Sequence, residues 1–300
     1  MAQNPKWSGV FPAITTQLRE DRSLDLAATA GHAEALVASG VAGIVACGSL
    51  GENQAMSPEE KQQVLSAIVR AVGGKVPVIG GVAESSTAVA VRCVRDYAKN
   101  GAAGFMIMPP MVYRPDEAEA FAYFRAVATA VDLPWMLYNN PIAYTVDVTP
   151  AKLPGYLEIP NLVAMKESSG DPRRITEIRL AIGDRLAMFA GVDDLIMECS
   201  LNGIDGWVAG SGIAFPTENQ RLWDLTRAGK WDEAKALYRW FAPLMKLDTH
   251  PKFVQYIKLL VQEAGLGAEW VRGPRQTLAG EERERVLAVI RAGIESRPRG

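Results

Sequence analysis

Lys166 closes the run Val163-Ala164-Met165-Lys166, an apolar stretch with one charged group at its end. An ammonium carried into such surroundings is costly unless it is paired or neutralised, and desolvation favours the free amine. A free lysine amine is the nucleophile that forms Schiff bases with carbonyl substrates. An ordinary surface role is the other reading, with the stem packed and the head reaching solvent or pairing with Glu167; the run alone leaves both open. Tyr138 lies near the end of a second apolar run, 134–140. Its phenol can donate and accept protons, or it can be a packing residue with a satisfied hydroxyl. Gly48-Ser49-Leu50-Gly51 is a small-residue turn whose amide N–H groups, with the Ser49 hydroxyl, would hold a carboxylate. Glycines there also simply permit a tight turn.

These residues need elements to hold them. Eight short runs rich in Val, Ile and Ala, at 9–17, 43–49, 76–83, 104–110, 134–140, 162–168, 186–192 and 206–212, have the length of buried strands. Between them, 24–39, 57–72, 87–100, 116–130, 172–182 and 217–228 carry helical spacing and caps. Ser57-Pro58-Glu59-Glu60 places a serine at the N-cap, proline at the first helical position and acids in the first turn, where they complement the helix dipole. Alternating strand and helix calls for a parallel sheet with right-handed crossovers, and eight such units close a (β/α)8 TIM barrel. A doubly wound open sheet is the other arrangement, yet no strand run is followed by GxGxxG or GxxxxGK[ST]. In a barrel the functional groups sit at the C-terminal ends of strands, where Ser49, Tyr138 and Lys166 fall. Beyond Gly229 only helices are expected, at 230–246, 251–265 and 280–297. Residues 1–229 therefore read as the barrel with the catalytic site and 230–300 as a helical extension packed on it, since no Pro/Gly/Ser-rich linker intervenes.

Composition narrows the function classes. Three hundred residues, 48% hydrophobic and 22% charged, exclude a disordered chain, and a net charge of −2 gives no electrostatic footprint for nucleic acid. No apolar run reaches the roughly 18 residues of a membrane helix. Cys47, Cys93 and Cys199 lie far apart in apolar stretches without CxxC spacing. With a polar start over residues 1–7 that lacks the pattern of a signal peptide, they point to a reduced, cytoplasmic setting. Only His32 and His250 are available, so a zinc site or a His-centred triad is hard to assemble and no metal is expected. Trp135, Trp207 and Trp223 read as core or subunit-contact aromatics.

Gly48-Ser49-Leu50-Gly51-Glu52, Tyr138-Asn139-Asn140-Pro141 and Lys166-Glu167-Ser168-Ser169-Gly170, in that order and spacing, resemble the dihydrodipicolinate synthase and N-acetylneuraminate lyase family. With residues 9–16, Gly191, 206–210 and the three-helix tail, the resemblance covers nearly the whole chain. It implies a (β/α)8 barrel, usually a homotetramer, that needs no metal or organic cofactor and forms a lysine Schiff base with a 2-oxo acid. By that likeness Lys166 is the Schiff-base lysine and Tyr138 the proton shuttle. Ser49, with the Leu50 backbone in the turn opened by Gly48, is the carboxylate site, and Gly191 and Val208 line the pocket.

The departures are informative. Dihydrodipicolinate synthases carry an arginine in a Tyr-Asn-x-Pro-x-Arg-Thr run, and this chain reads Tyr138-Asn139-Asn140-Pro141-Ile142-Ala143-Tyr144. Losing the guanidinium removes a charge-assisted, bidentate carboxylate contact. Ser49-Leu50 stands for Thr-Thr, and Val112 stands where the synthases have a relay tyrosine; Tyr113, one position on, is the candidate to replace it, and the motif leaves that open. The hydroxyl-rich sugar subsite of neuraminate lyases is not evident among Ile142, Ala143 and Val208. The opening 7–17, with 47–53 and 109–113, is similar to bacterial deaminases of 1-pyrroline-4-hydroxy-2-carboxylate. That likeness implies a small 2-oxo acid or its cyclic imine as substrate, with 2-oxoglutarate semialdehyde and ammonia as products of hydroxyproline breakdown. The alternatives are a pyruvate-dependent aldolase of a 2-keto-3-deoxy or 4-hydroxy-2-oxo acid, dihydrodipicolinate synthase, and a catalytically silent barrel that binds a 2-oxo acid.

Overall fold

A computed structural model describes residues 6–298. Residues 1–5, within the start read as lacking a signal peptide, lie outside the described residues. Eight strands run β1 (Gly9–Val10), β2 (Ile44–Ala46), β3 (Val78–Val82), β4 (Gly104–Ile107), β5 (Trp135–Asn139), β6 (Leu162–Glu167), β7 (Ala187–Ala190) and β8 (Gly206–Trp207). They form one parallel sheet in the order β1-β8-β7-β6-β5-β4-β3-β2. Ala13 bridges to Val45, and the Val45 amide donates to the Pro12 carbonyl at 2.9 Å, so the sheet closes on itself as a (β/α)8 barrel.

The α-helices are α1 (Leu26–Ala38), α2 (Pro58–Val72), α3 (Thr87–Lys99), α4 (Glu117–Ala128), α5 (Pro141–Tyr144), α6 (Leu153–Tyr156), α7 (Arg173–Ile182), α8 (Ile196–Leu201), α9 (Pro216–Arg227), α10 (Trp231–Met245), α11 (Phe253–Glu263) and α12 (Gly280–Glu295). Their starts follow from local chemistry. Asp25, Ser57, Ser86 and Asp116 accept from backbone amides that would otherwise be orphaned, and Ser57 and Asp116 complete capping boxes with Glu60 and Glu119. Every residue of β3 through β7 is buried, because helices cover the outer face and side chains fill the inside.

Below the mouth, Phe11 and Phe189 meet edge to face with ring centres 5.3 Å apart. Gly43 and Gly206 leave the space these rings occupy, since a Cβ at either would lie 2.6 Å from a ring Cζ. Regular pairing in β1 and β8 is shorter than the runs 9–17 and 206–212 suggest. After β8 the chain leaves the ladder for a 3-10 turn at Ser211–Ala214, whose first amide donates to buried Asp193 instead. The tail packs directly on the barrel, α10 against α9 and α11 against that turn, with α12 over α10 and α11. Among the described residues no helix is long and apolar enough to cross a membrane. Trp135, Trp207 and Trp223 are all buried in the core.

Candidate active site

A cavity of about 410 Å³ opens at the C-terminal ends of the strands. Register sets Tyr138 beside Lys166 and Lys166 beside Phe189, so the two-residue alternation of a strand turns all three toward the barrel axis. Lys166 is 8% exposed, and its Nζ lies 4.2 Å from the centre of the Tyr138 ring. It neither reaches solvent nor pairs with Glu167, which the alternation sends the other way. The Glu167 carboxylate accepts from the Ser169 amide at 2.6 Å and from Asn139 Nδ2 at 3.0 Å. Asn139 also donates to Asp147, which Arg174 grips through two hydrogen bonds at 2.8 and 2.7 Å. This outer network ties the ends of β5 and β6 together and so fixes the spacing of the residues on the inner face.

Lys166 passes directly over Gly191, where a Cβ would come 2.6 Å from its Cε. Burial pulls the lysine below its usual range, while the charges of Asp248, Tyr144 and Asp193 oppose that shift. Burial raises the Tyr138 phenol, whose hydroxyl accepts from Asn140 Nδ2 at 3.2 Å. Burial therefore shifts both groups toward their neutral forms.

The Ser49 turn is held on several sides. Thr16 Oγ1 donates to the Gly51 carbonyl at 2.7 Å, and Asn53 Nδ2 donates to the carbonyls of Cys47 and Gly81 at 2.9 and 3.1 Å. Gly81 lacks a side chain because a Cβ there would lie 2.6 Å from the Cys47 carbonyl oxygen. Cys47 and Glu52 adopt left-handed backbone with φ of 54° and 57°, at a cost on the order of 1 kcal/mol each for residues bearing a Cβ. Glu52 is held by Lys258 Nζ at 2.7 Å, with both side chains essentially out of solvent, and by the Arg272 amide at 2.9 Å. Ser49 Oγ hydrogen-bonds the hydroxyl of Tyr144, whose ring stands edge-on to Tyr138 with centres 5.5 Å apart.

The sequence of the dihydrodipicolinate synthetase family matches residues 6–293. The chain belongs to this family. The 4-hydroxy-tetrahydrodipicolinate synthase of Xanthomonas campestris is 34% identical over 266 residues, covering 87% of this chain and 86% of its own. That of Methanosphaerula palustris is 32% identical over 293 residues, covering 95% and 98%. Among solved structures, a dihydrodipicolinate synthase of Bacillus anthracis has a TM-score of 0.91 at 27% identity, covering 97% of this chain and 99% of that one. The chloride-inhibited synthase of Acinetobacter baumannii complexed with pyruvate has 0.89 at 27% identity, covering 96% and 99%. Membership places the chain among Schiff-base lyases of the aldolase type.

Gly48, Ser49, Leu50, Tyr138, Lys166, Gly191 and Val208 all line the one cavity. Tyr113 does not. Within one copy of the chain it is 58% exposed in the segment before α4 and does not reach the lining. Tyr144 instead supplies the second phenol, on a one-turn helix capped by Asn140 with Pro141 at its start. The Asn-Pro pair is a helix-start signal legible in the sequence, and it marks the turn that brings Tyr144 back toward Ser49. Asp248, from the 3-10 turn Lys246–Thr249, enters the cavity together with His250 and Phe253. No local pattern marks this aspartate, because it reaches the site only through the packing of the tail. No arginine is among the lining residues.

Proposed function

We propose that the chain deaminates 1-pyrroline-4-hydroxy-2-carboxylate to 2-oxoglutarate semialdehyde and ammonia through a Schiff base on Lys166. The observation that supports this reading is a cavity lined by the Gly48-Ser49-Leu50 turn and by no guanidinium. Ala143 and Tyr144 occupy the places of the Arg-Thr pair with which the synthases hold a second carboxylate. Such a site suits a single monocarboxylate better than pyruvate joined to a carboxylated partner.

The substrate carboxylate sits on the Ser49 hydroxyl and the amides of the Gly48-Ser49-Leu50 turn, which aims C2 at Lys166. The free amine adds to C2, and the bond from C2 to the ring nitrogen breaks, leaving an open-chain iminium with a terminal amine. Tyr138 takes the C3 proton to give an enamine as its own phenol proton passes through Tyr144 and Ser49 to solvent at the cavity mouth. The enamine expels the C4 hydroxyl as water. A proton then leaves C5 while C3 and C4 regain protons, which creates an imine at C5. Water at C5 releases ammonia and water at C2 frees Lys166, so one water leaves, two enter and one is consumed overall.

Borohydride trapping with the pyrroline, followed by peptide mass analysis, tests this reading. Mass added at Lys166, together with ammonia release in the absence of borohydride, is the expected result. The names of the relatives and the pyruvate-bound neighbour favour a second reading, condensation of a pyruvate Schiff base with an aldehyde. An adduct with pyruvate alone would move the chain there or to an aldolase, and retention of ligand without adduct would indicate a binding barrel.

A further inference from the structure

We propose that Asp248 is the general acid of the elimination, taking the proton that Lys166 sheds and delivering it to the hydroxyl that leaves C4. The inference rests on the deaminase reading above and adds a group that the sequence motifs do not include.

Three observations place it. Asp248 lines the same cavity as Lys166 and Tyr138, on the wall formed by the tail. That wall approaches the segment after β8 so closely that a Cβ at Gly210 would lie 2.6 Å from both Asp248 carboxyl oxygens. The adjacent acid, Asp193, is committed elsewhere. It accepts from Trp207 Nε1 at 2.9 Å, from the Ser211 and Gly210 amides at 2.7 and 3.1 Å, and from the Ser211 hydroxyl. Among the described residues no side chain or amide donates to Asp248 itself, which leaves its carboxyl free to serve a bound molecule.

The charged and titratable groups around it are Lys166 from β6, Tyr138 from β5, and Asp193 and Asp194 from the turn after β7. Lys246 and His250 flank it on its own segment. Burial and the Asp193 charge raise the Asp248 carboxyl well above the usual carboxylate range, although Lys166 pulls the other way. Burial likewise lowers Lys166. Both shifts run the same way, toward a proton on the carboxyl and a free amine, which is the direction that attack at C2 needs.

At the elimination step the nitrogen lone pair of the enamine re-forms the C2 iminium, and the C2–C3 electron pair becomes the C3–C4 double bond. The C4–O bond breaks, and its electrons leave on oxygen with the Asp248 proton as water. Asp248 is then a carboxylate, ready to accept the next proton from Lys166. A carboxylic acid suits this step better than the raised phenol of Tyr138, and the Tyr144 hydroxyl is bonded to Ser49.

The test compares the pyrroline with its 4-fluoro analogue, because fluoride leaves without needing a proton. Asp248→Asn should slow ammonia release from the hydroxy substrate by about 10²-fold or more and change fluoride release from the analogue less than about threefold. Borohydride trapping at Lys166 should persist in the variant. Equal slowing on both substrates, or no slowing on either, would overturn the acid role. The wild-type protein gives a second readout that needs no variant: the hydroxy substrate should lose rate at high pH as Asp248 deprotonates, whereas the fluoro substrate should not share that limb. Parallel profiles would also overturn the role. A wild-type protein that releases no ammonia would overturn the deaminase reading and this role together, while an active wild type with an indifferent variant would remove Asp248 alone.

Discussion

An amine attacks a carbonyl or imine carbon only as its free base, so the chemistry of Lys166 depends on the burial that weakens its hold on the proton. Lys166→Ala should abolish the borohydride adduct and reduce turnover to background while the melting temperature stays within a few degrees of wild type. An adduct surviving at another lysine would refute its role. Gly191 shows how little slack the amine has. Gly191→Ala puts a Cβ against Lys166 Cε and Ser168 Oγ, so it should cost roughly 1–3 kcal/mol of stability by overpacking. Moving the amine by about 1 Å should also lower kcat roughly 10²-fold, and chemical denaturation alongside single-turnover kinetics reads both effects. Tyr144→Phe keeps the ring against Tyr138 and removes only the hydroxyl bonded to Ser49. A fall in kcat of about 10²-fold without loss of stability is expected if that hydroxyl relays protons; an unchanged kcat would leave Tyr144 as a packing residue.

At the level of elements, the active-site turn depends on a helix far along the chain. Lys258 of α11 is fully buried and holds Glu52, so Lys258→Met leaves a buried carboxylate without its ion-pair partner. About 3–5 kcal/mol of stability should be lost in urea unfolding, and replacing Glu52 with leucine as well should restore part of it. A second contact, between α1 and the turn after β8, makes stability depend on acid. His32 is buried with Nε2 2.9 Å from the Ile213 carbonyl, which can only accept, so Nε2 carries the proton of a neutral ring. Burial lowers this imidazole from 6.5 to about 4. Between those values the unfolded chain binds the proton and the folded chain does not, so stability is lost as pH falls through that window and His32 contributes no slope above it. The loss should be on the order of 3 kcal/mol. Urea midpoints measured from pH 7.5 to 4 should show it, and His32→Gln should flatten that part of the curve.

Across the whole molecule, the tail is bound into the barrel rather than resting on it. Arg272 grips Glu60 through two hydrogen bonds at 2.7 and 2.8 Å and donates to the carbonyls of Arg22 and Ala55. Arg297 pairs with Glu218 at 2.6 Å, and barrel and tail residues share one hydrophobic cluster. We propose that residues 1–229 and 230–300 unfold together. Calorimetry should therefore give one transition with equal calorimetric and van't Hoff enthalpies, and two resolved transitions would separate the extension from the barrel.

The strand and helix periodicities, the capping serine and aspartates, and the three motifs at strand ends are local properties of the chain, and they were enough to determine the barrel and the mouth on which Ser49, Tyr138 and Lys166 converge. Such signals carry because hydrophobic alternation and capping act within a few residues of one another. Tyr113 shows where local reading stops: sequence adjacency to a motif does not say which way a loop side chain turns, and within one copy of the chain this one is exposed. Tyr144 was reached only through the structure, where Asn140 and Pro141 start the short helix that carries it. Asp248 and the Glu52–Lys258 pair were settled by tertiary structure alone, because electrostatic and steric partners distant in the sequence meet only after the tail has packed against β8 and the Ser49 turn.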